Sequence, residues 1–185
     1  MDLFNFHNSL KEIACHVKEL ENKVNGESID QLIRTMLESD RIFVYGAGRS
    51  GLMGKAFAQR LMHIGRQVFV IGETLVTAMK KGDAFILISG SGQTPSTVCL
   101  AKKAKELGVK IVTITAHPES QLGTISDIIV HIPSKTKLLE KPSYAPFTAL
   151  FDISVLAVLD SVISEVMSRL GLQEEDIFRR HANVE

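Results

Sequence analysis

Residues 41–65 read RIFVYGAGRSGLMGKAFAQRLMHIG, in which a short apolar run meets a glycine-rich turn and then a helical pattern. Residues 41–45 carry the β-branched and aromatic types that are typical of a buried strand. A helix is predicted over residues 51–64, with a hydroxyl at the N-cap position, Ser50, and an end at Gly65. The segment therefore predicts a strand, turn and helix in succession, with glycines at the carboxyl end of the strand.

The same order of elements recurs along the chain. A helix predicted over residues 95–107 begins after Thr94 and ends at Gly108. Further strands are predicted, most of them separated by helical patterns, over residues 67–71, 84–89, 110–115 and 127–132. Strands that alternate with helices indicate a parallel sheet covered on both faces. We expect an α/β fold of three layers, helix, sheet and helix, with five strands in the flavodoxin-like order 2-1-3-4-5.

Apolar helices are predicted at both ends of this unit. An N-terminal helical pair consists of residues 3–24 and of a second helix opened by Ser28 and Gln31, which have the spacing of a capping box. The last long helix, residues 146–170, is apolar on nearly all sides. A single domain, residues 1–185, offers limited cover for these surfaces, so we expect a homo-oligomer.

The composition excludes several classes of partner. Lys plus Arg and Asp plus Glu number 21 each, which leaves no positive field for a nucleic acid or a membrane surface. The first residues show no basic leader and apolar core, so we expect a cytoplasmic protein. Cys15 and Cys99 fall in predicted helices without CxxC spacing or a histidine partner, which favours reduced packing residues over a disulfide or a metal site.

Two glycine-rich loops carry the chemical signal. GAGRSG at residues 46–51 and SGSGQTP at residues 89–95 each follow a strand and open a helix. Glycines let the backbone approach a ligand, and the first N–H groups of a helix, which have no partner within it, bind anions. Strands one and three are neighbours in the order 2-1-3-4-5, so both loops are expected to flank one crevice.

The ligand of this crevice is inferred from its hydroxyls. The first loop alone also fits the G-x-G-x-x-G dinucleotide pattern, with Glu73 as the ribose-binding acid. Ser89, Ser91 and Thr94 of the second loop suit the terminal oxygens of a phosphate monoester, and no second domain remains to carry a hydride acceptor. We therefore favour a phosphate monoester over a dinucleotide, and a pair of plain connecting turns stays as the third alternative.

These residues resemble a known family. The pairing of GAGRSG with SGSGQT resembles the SIS (sugar isomerase) domain, and three further segments, RLMH at 60–63, IGE at 71–73 and HANVE at 181–185, resemble the 6-phospho-3-hexuloisomerases more narrowly. The resemblance covers nearly the whole chain from Arg41 onward. It implies a single SIS domain, a tetramer, no metal or organic cofactor, and the interconversion of D-arabino-3-hexulose 6-phosphate with fructose 6-phosphate.

The catalytic base is expected at Asp152, a lone charge in an otherwise apolar helix. The resembling family carries Glu here, after a Phe, whereas this chain has Phe151 followed by Asp152, which is one methylene shorter. Residues 144–148 also differ from the P-M-G pattern of the family. The alternative for Asp152 is a solvent-facing acid in the first turn of the helix, where the helix dipole favours it.

His181 and His63 are further catalytic candidates, for ring opening or proton transfer, and either is able to act on a neighbouring subunit in an oligomer. The alternatives are a histidine in a surface tail and a histidine at the C-terminus of a helix. Glu73 is expected to orient sugar hydroxyls, unless it is an ordinary loop acid. The remaining histidines show no ligand spacing.

Arg49 is expected to clamp the phosphate or to oppose charge on an enediolate, with a surface ion pair as the alternative. Substrate binding is further assigned to loop residues that also have structural uses in turns and caps, namely Gly48, Ser50, Ser89, Gly90, Ser91, Gly92 and Thr94. Two other functions stay open: a non-catalytic phosphosugar-binding module and an aldose–ketose isomerase such as one acting on arabinose 5-phosphate.

Overall fold

A computed structural model describes residues 2–136 and 142–184 of the chain. Its helices are α1 (Phe4–Glu19), α2 (Gly26–Glu38), α3 (Arg49–His63), α4 (Pro95–Glu106), α5 (Gln121–Ile125), α6 (Ala149–Leu170) and α7 (Glu174–Arg180). Its strands are β1 (Ile42–Gly46), β2 (Val68–Val70), β3 (Ala84–Ile88), β4 (Lys110–Thr115) and β5 (Ile128–His131). A short 3₁₀ turn, Leu20–Asn22, follows α1.

The five strands form one parallel sheet in the order β2-β1-β3-β4-β5, which confirms the predicted topology. The strand order reverses between β1 and β3, which pair with each other in parallel. Gly46, the last residue of β1, lies opposite Ile88, the last residue of β3. The two glycine-rich loops therefore leave the sheet side by side.

Side chains of each strand alternate between the two faces of the sheet. Val44 and Ile86 face one side, in a core shared with α2, α3 and α6, whereas Phe43 and Phe85 face the other, in a core shared with α4. All five residues of β3 are buried, as a central parallel strand requires. The sheet is thus covered on both faces and gives the predicted three layers.

Helix starts differ from the sequence prediction at three places. Asn25, not Ser28, caps α2, because its side-chain oxygen accepts hydrogen bonds from the N–H groups of Glu27 and Ser28. Helix α3 begins at Arg49 with Gly48 as its N-cap, so the assignment of the N-cap to Ser50 was wrong. Helix α6 begins at Ala149 rather than at residue 146.

Two short helices, α5 and α7, were not predicted. Seven residues or fewer give too little periodicity to recognise in the sequence. In α5 the Ser120 hydroxyl, which accepts a hydrogen bond from the N–H of Gly123, starts the helix. In α7 Gln173 and Asp176 form a capping box that only the structure shows.

Both cysteines are free and exposed, so their assignment as packing residues was wrong. Cys99 directly follows Val98, which is buried, and successive helical residues point about 100° apart, so Cys99 faces away from the core. Helix α1 buries none of its residues in the isolated chain, and Cys15 lies on it. No helix in the described part of the chain combines the length and hydropathy needed to cross a membrane.

Candidate active site

A cavity of about 290 Å³ opens at the carboxyl ends of β1 and β3. It is bounded by the two glycine-rich loops and by the start of α6. Its lining residues are Ala47, Gly48, Arg49, Ser50, Gly90, Ser91, Thr94, Thr136, Phe147, Thr148, Phe151 and Asp152. The structure therefore brings together seven of the twelve residues that were predicted to form the site.

The first loop is tight enough to require glycines. A Cβ on Gly46 would lie 2.7 Å from the Ser50 carbonyl carbon, and a Cβ on Gly51 would lie 2.5 Å from the Gly46 oxygen. Gly48 has a φ of 58°, which side chains rarely adopt. Because this turn ends at the start of α3, the N–H groups of Arg49 and Ser50 have no partner within the helix, and both residues line the cavity. Such a helix start suits an anion.

In the second loop, some residues fix the conformation of the loop and others line the cavity. The hydroxyl of Ser89 is hydrogen-bonded to that of Thr94 at 3.0 Å, and Ser89 itself is buried. The N–H of Gly92 donates a hydrogen bond to the backbone carbonyl oxygen of Ser89. A Cβ on Gly92 would lie 1.9 Å from the Ser120 hydroxyl oxygen. Ser89 and Gly92 therefore shape the loop, while Gly90, Ser91 and Thr94 line the cavity.

Asp152 is the acidic group of the cavity and is only 2% exposed. Its Oδ2 accepts hydrogen bonds from Arg49 Nε and from the Thr148 hydroxyl, each at 2.8 Å. Among residues 2–136 and 142–184, no group donates to Oδ1. The burial contradicts the alternative of a solvent-facing acid. The ion pair joins the exposed Arg49 of the first loop to this buried carboxylate of α6.

Thr148 was missed by the sequence prediction. It is the N-cap of α6 and has a φ of 63°, the one positive φ among the described residues other than glycine. This conformation turns the chain into the helix and leaves the hydroxyl four residues before Asp152, to which it donates. A threonine directly before a helix start was the available signal, and the prediction of a start at residue 146 concealed it.

Other lining residues had no such signal. Thr136 lies beyond the last strand and reaches the cavity beside Gly90, with its own hydroxyl hydrogen-bonded to His117 Nε2 at 3.1 Å. Phe147 and Phe151 supply apolar surface. Their place at the cavity depends on how residues far apart in the chain pack together, which residue types do not report.

His63 and His181 lie together, but away from the cavity. Their rings stack with centroids 5.2 Å apart, and His63 is 3% exposed. Burial, together with the charges of His181 and Arg60, lowers the pKa of His63. His63 is at the opposite end of α3 from Arg49, a separation of about 21 Å at 1.5 Å per residue. A catalytic role of either histidine stays a prediction that requires a neighbouring subunit.

Glu73 also lies outside the cavity lining. It follows β2 and forms an exposed ion pair with Lys55. A role in orienting the sugar therefore stays a prediction as well. Of the HANVE segment, residues 181–184 are described and exposed, whereas Glu185 lies outside the described residues. Across the part of the chain that is described, no three His, Cys, Asp or Glu side chains are placed to hold a metal ion.

The fold and the paired loops define a class of protein. A family profile described as the SIS domain matches residues 35–159, which is more than half of the 185-residue chain. The chain belongs to the SIS domain family.

Within that family, the chain is similar to 3-hexulose-6-phosphate isomerases. It is 41% identical to that protein of Bacillus subtilis over 179 residues, with 94% of this chain and 97% of that protein covered. It is 40% identical to that of Methanocaldococcus jannaschii over 157 residues, with 84% of this chain and 83% of that protein covered. The resemblance noted in the sequence is thereby confirmed.

A solved structure agrees with these relatives. The crystal structure of a Methanococcus jannaschii protein, for which the molecular function of 3-hexulose-6-phosphate isomerase was inferred, superposes with a TM-score of 0.83. The two chains are 34% identical, and the match covers 96% of this chain and 97% of that one. The similarity therefore includes the helices at both ends of the sheet.

Proposed function

We propose that this chain is a sugar-phosphate isomerase that interconverts D-arabino-3-hexulose 6-phosphate and fructose 6-phosphate. The observation that carries the proposal is the buried carboxylate of Asp152 in a cavity flanked by two anion-binding loops. The relatives named 3-hexulose-6-phosphate isomerase support the same substrate pair. The loops hold the phosphate, and the carboxylate moves the proton.

The phosphate binds between the helix starts. The N–H groups at the start of α3 donate to its oxygens, and the macrodipole of this 15-residue helix favours the negative charge. The hydroxyls of Ser50, Ser91 and Thr94, which line the same cavity, supply further donors. This arrangement fits three terminal oxygens and holds one end of the sugar at the sheet edge.

The reaction moves a carbonyl from C3 to C2. A base removes the proton from C2, which is adjacent to the C3 carbonyl, and the electron pair of that C–H bond forms the 2,3-enediolate. The proton then returns to C3 while the O2 hydroxyl loses its proton and O3 gains one, so that atoms and charge balance. One carboxyl group is able to deliver and accept the carbon-bound proton on the same face of the intermediate.

Asp152 is the base in this scheme. Its Oδ2 is held by Arg49 and Thr148, while Oδ1 accepts no hydrogen bond within the described residues and is the oxygen that takes the proton. The fixed positive charge of Arg49 also opposes the negative charge that develops on the enediolate. Arg49 therefore has two roles, orientation of the base and stabilisation of the intermediate.

The oligomer and the histidines belong to this proposal. Helix α1 exposes Phe4, Phe6 and Leu10, and its N-cap residue Leu3 is exposed beside them, which supports a subunit interface there. In the homotetramer that the family resemblance implies, the exposed His181 of one subunit serves the site of a neighbour, and the buried His63 stacks against the His181 ring. A cytoplasmic location and independence from cofactors are proposed with the function.

The test is an assay of fructose 6-phosphate formed from 3-hexulose 6-phosphate, coupled to an enzyme that consumes the product. Turnover by the purified chain is expected. Binding of fructose 6-phosphate without turnover would favour the phosphosugar-binding module, whereas turnover of arabinose 5-phosphate alone would favour the aldose–ketose isomerase. A rise of Tm with NAD, and none with sugar phosphates, would favour dinucleotide binding.

A further inference from the structure

The N-terminal helix contacts the chain segment that forms one wall of the cavity. This segment is the β5–α6 connection, of which residues 132–136 and 142–148 are described. Phe4 meets Tyr144 edge to face, with ring centroids 5.9 Å apart. His16 Nε2 is hydrogen-bonded to the Ser134 hydroxyl at 2.9 Å. Helix α1 therefore contacts the connection on both sides of the residues that are not described.

Between these two contacts lies Glu12, whose carboxylate holds three successive residues of the connection. Oε1 accepts a 2.7 Å hydrogen bond from the Ser143 hydroxyl. Oε2 accepts from the N–H of Tyr144 at 2.7 Å and from the N–H of Ala145 at 3.1 Å. Burial alone would raise the pKa of Glu12, but these hydrogen bonds and the charge of Lys135 lower it. The contact is thus that of an ionised carboxylate with backbone donors, which is a strong kind of hydrogen bond.

The held residues lead directly into the cavity wall. Ala145 is followed by Pro146, whose φ is fixed by its ring, and the Pro146 oxygen accepts a 2.9 Å hydrogen bond from the N–H of Ala149. Phe147 and Thr148, inside this turn, line the cavity, and Thr148 donates to Asp152. A shift at Ala145 is therefore transmitted to Thr148 with little freedom to absorb it.

We propose that Glu12 is a positioning residue for the active site. It fixes the backbone of Tyr144 and Ala145, and through them the place of Phe147 and the hydrogen bond from Thr148 to Asp152. The inference rests on the proposed function, since it assigns a structural cause to the placement of the proposed base. Misplacement of a reacting group by about 1 Å is able to lower a rate by roughly 100-fold, so a residue far from the chemistry is important here.

The first test is amide hydrogen exchange in the full chain, because it does not depend on activity. In Glu12→Gln the side chain keeps its size but loses one acceptor oxygen and its charge. Exchange of the Tyr144 and Ala145 amides is expected to rise by tenfold or more. The control is Glu19→Gln on the same helix. Within the described part of the chain, the Glu19 carboxylate forms its ion pair with Lys23 at the surface and contacts no residue of the connection, so its loss is expected to leave this exchange unchanged.

The second test separates positioning from general loss of stability. If Glu12 acts through Thr148 as well as Phe147, Glu12→Gln lowers kcat/KM at least fivefold in the native background but by a clearly smaller factor in Thr148→Ala. If the fold-losses in kcat/KM of the two single variants multiply in the double variant, the two residues act independently and the proposal is overturned. Unchanged amide exchange in Glu12→Gln would overturn it as well. Ser143→Ala removes the donor to Oε1, and it also removes the Ser143 hydroxyl that accepts a 3.1 Å hydrogen bond from the Ala145 N–H. Its readout is therefore the Tyr144 amide, whose exchange is expected to rise by a smaller factor than in Glu12→Gln.

The experiments distinguish a failure of the proposed isomerase function from a failure of the proposed role of Glu12. If the native chain does not convert 3-hexulose 6-phosphate, the same cycle is measured on the Kd of fructose 6-phosphate by calorimetry, and the exchange experiment is unaffected. Faster exchange at Tyr144 and Ala145 together with a non-additive loss of affinity would still support the role of Glu12. Native exchange rates in the variant would still contradict it.

Discussion

Arg49 Nε donates a 2.8 Å hydrogen bond to Oδ2 of Asp152, 103 residues further along the chain. This bond joins the first turn of α3 to the first turn of α6, and both residues line the cavity. Asp152 is buried, whereas the side chain of Arg49 is 59% exposed. The arginine is therefore able to hold the carboxylate on one side and to meet an anionic substrate on the other.

Asp152→Asn is expected to lower kcat by roughly 10²- to 10⁴-fold, the range typical of a lost general base. The amide keeps the shape of the side chain but cannot take a proton from carbon. Asp152→Glu, which restores the residue of the resembling family, is expected to retain activity. The coupled assay measures both variants, with fructose 6-phosphate binding as the check of folding. Near-native kcat in Asp152→Asn would exclude this residue as the base.

Arg49→Lys is expected to lower kcat/KM by at least tenfold. A lysine ammonium is a point charge and cannot place a planar N–H at the position of Nε while it meets the phosphate. Steady-state kinetics over a range of substrate concentrations separates the effect on KM from that on kcat. Arg34→Lys, at an exposed arginine that pairs with Asp30, is the matched control and should leave both constants unchanged. If Arg49→Lys and Arg34→Lys have the same kcat and KM, Arg49 has no role in binding or catalysis.

Ser91→Ala is expected to raise KM by about tenfold or more with little change in Tm, because one hydrogen bond to a charged group contributes about 1.5–3 kcal/mol to binding and about 1.4 kcal/mol is a factor of ten. Ser89→Ala is expected to lower Tm while it changes KM little. Ser89 is buried and bonded to Thr94, so its loss lowers the free energy of unfolding by about 1 kcal/mol and changes KM less. Thermal unfolding and KM, measured on both variants, check this division. An unchanged KM in Ser91→Ala would contradict it.

The ion pair of Arg41 and Asp83 predicts a loss of stability in acid. It is bidentate, with distances of 2.9 and 2.6 Å, and the Asp83 side chain is fully buried. Burial alone would raise the pKa of Asp83, but hydrogen bonds from Arg41 and from the Lys80 N–H lower it below the ordinary value of 3.8. The unfolded chain then binds this proton more readily, so the stabilisation is present above about pH 4 and is lost as the pH falls through the pKa of the folded state.

Asp83→Asn tests this pair. The variant is expected to lose about 3 kcal/mol of stability at pH 7, since it leaves the guanidinium without its charged partner, and to depend less on pH below 4. Urea unfolding at pH 7, 4 and 3 measures both quantities. Asp160→Asn removes an exposed partner of Arg60 and serves as the control. A pH dependence equal to that of the native chain would show that Asp83 is not its source.

Subunit complementation tests the histidine prediction. Sedimentation at micromolar concentration should first give a mass that is a multiple of 20.4 kDa. If His181 serves a neighbouring site, mixed oligomers of Asp152→Asn and His181→Ala recover activity, because some interfaces then combine an intact Asp152 with an intact His181. Either variant alone stays impaired. No recovery in mixed oligomers, or a monomer in sedimentation, would contradict the assignment.

Predictions from the sequence were accurate where a short segment carries its own signal. The strand patterns, the glycines at residues 46–51 and the hydroxyls at residues 89–94 gave the topology and the two loops. Helix starts were less accurate, as at Gly48 and Asn25, because several nearby residues are able to cap a helix and only the backbone conformation selects one. Cys15 and Cys99 were misjudged because a residue type does not report which face of a helix it occupies.

Local patterning alone was sufficient for the strands, the helices between them and the parallel sheet. The meeting of both loops followed once the common flavodoxin-like strand order was assumed, because that order makes strands one and three neighbours, and the structure confirms it. Tertiary structure decided which groups surround Asp152. The Arg49 contact and the Glu12 contacts with the cavity wall join residues more than 100 positions apart. Thr148 acquires its left-handed conformation where the chain enters α6. Contacts of this kind depend on how whole helices pack together, so they cannot be predicted from the residues of any single segment.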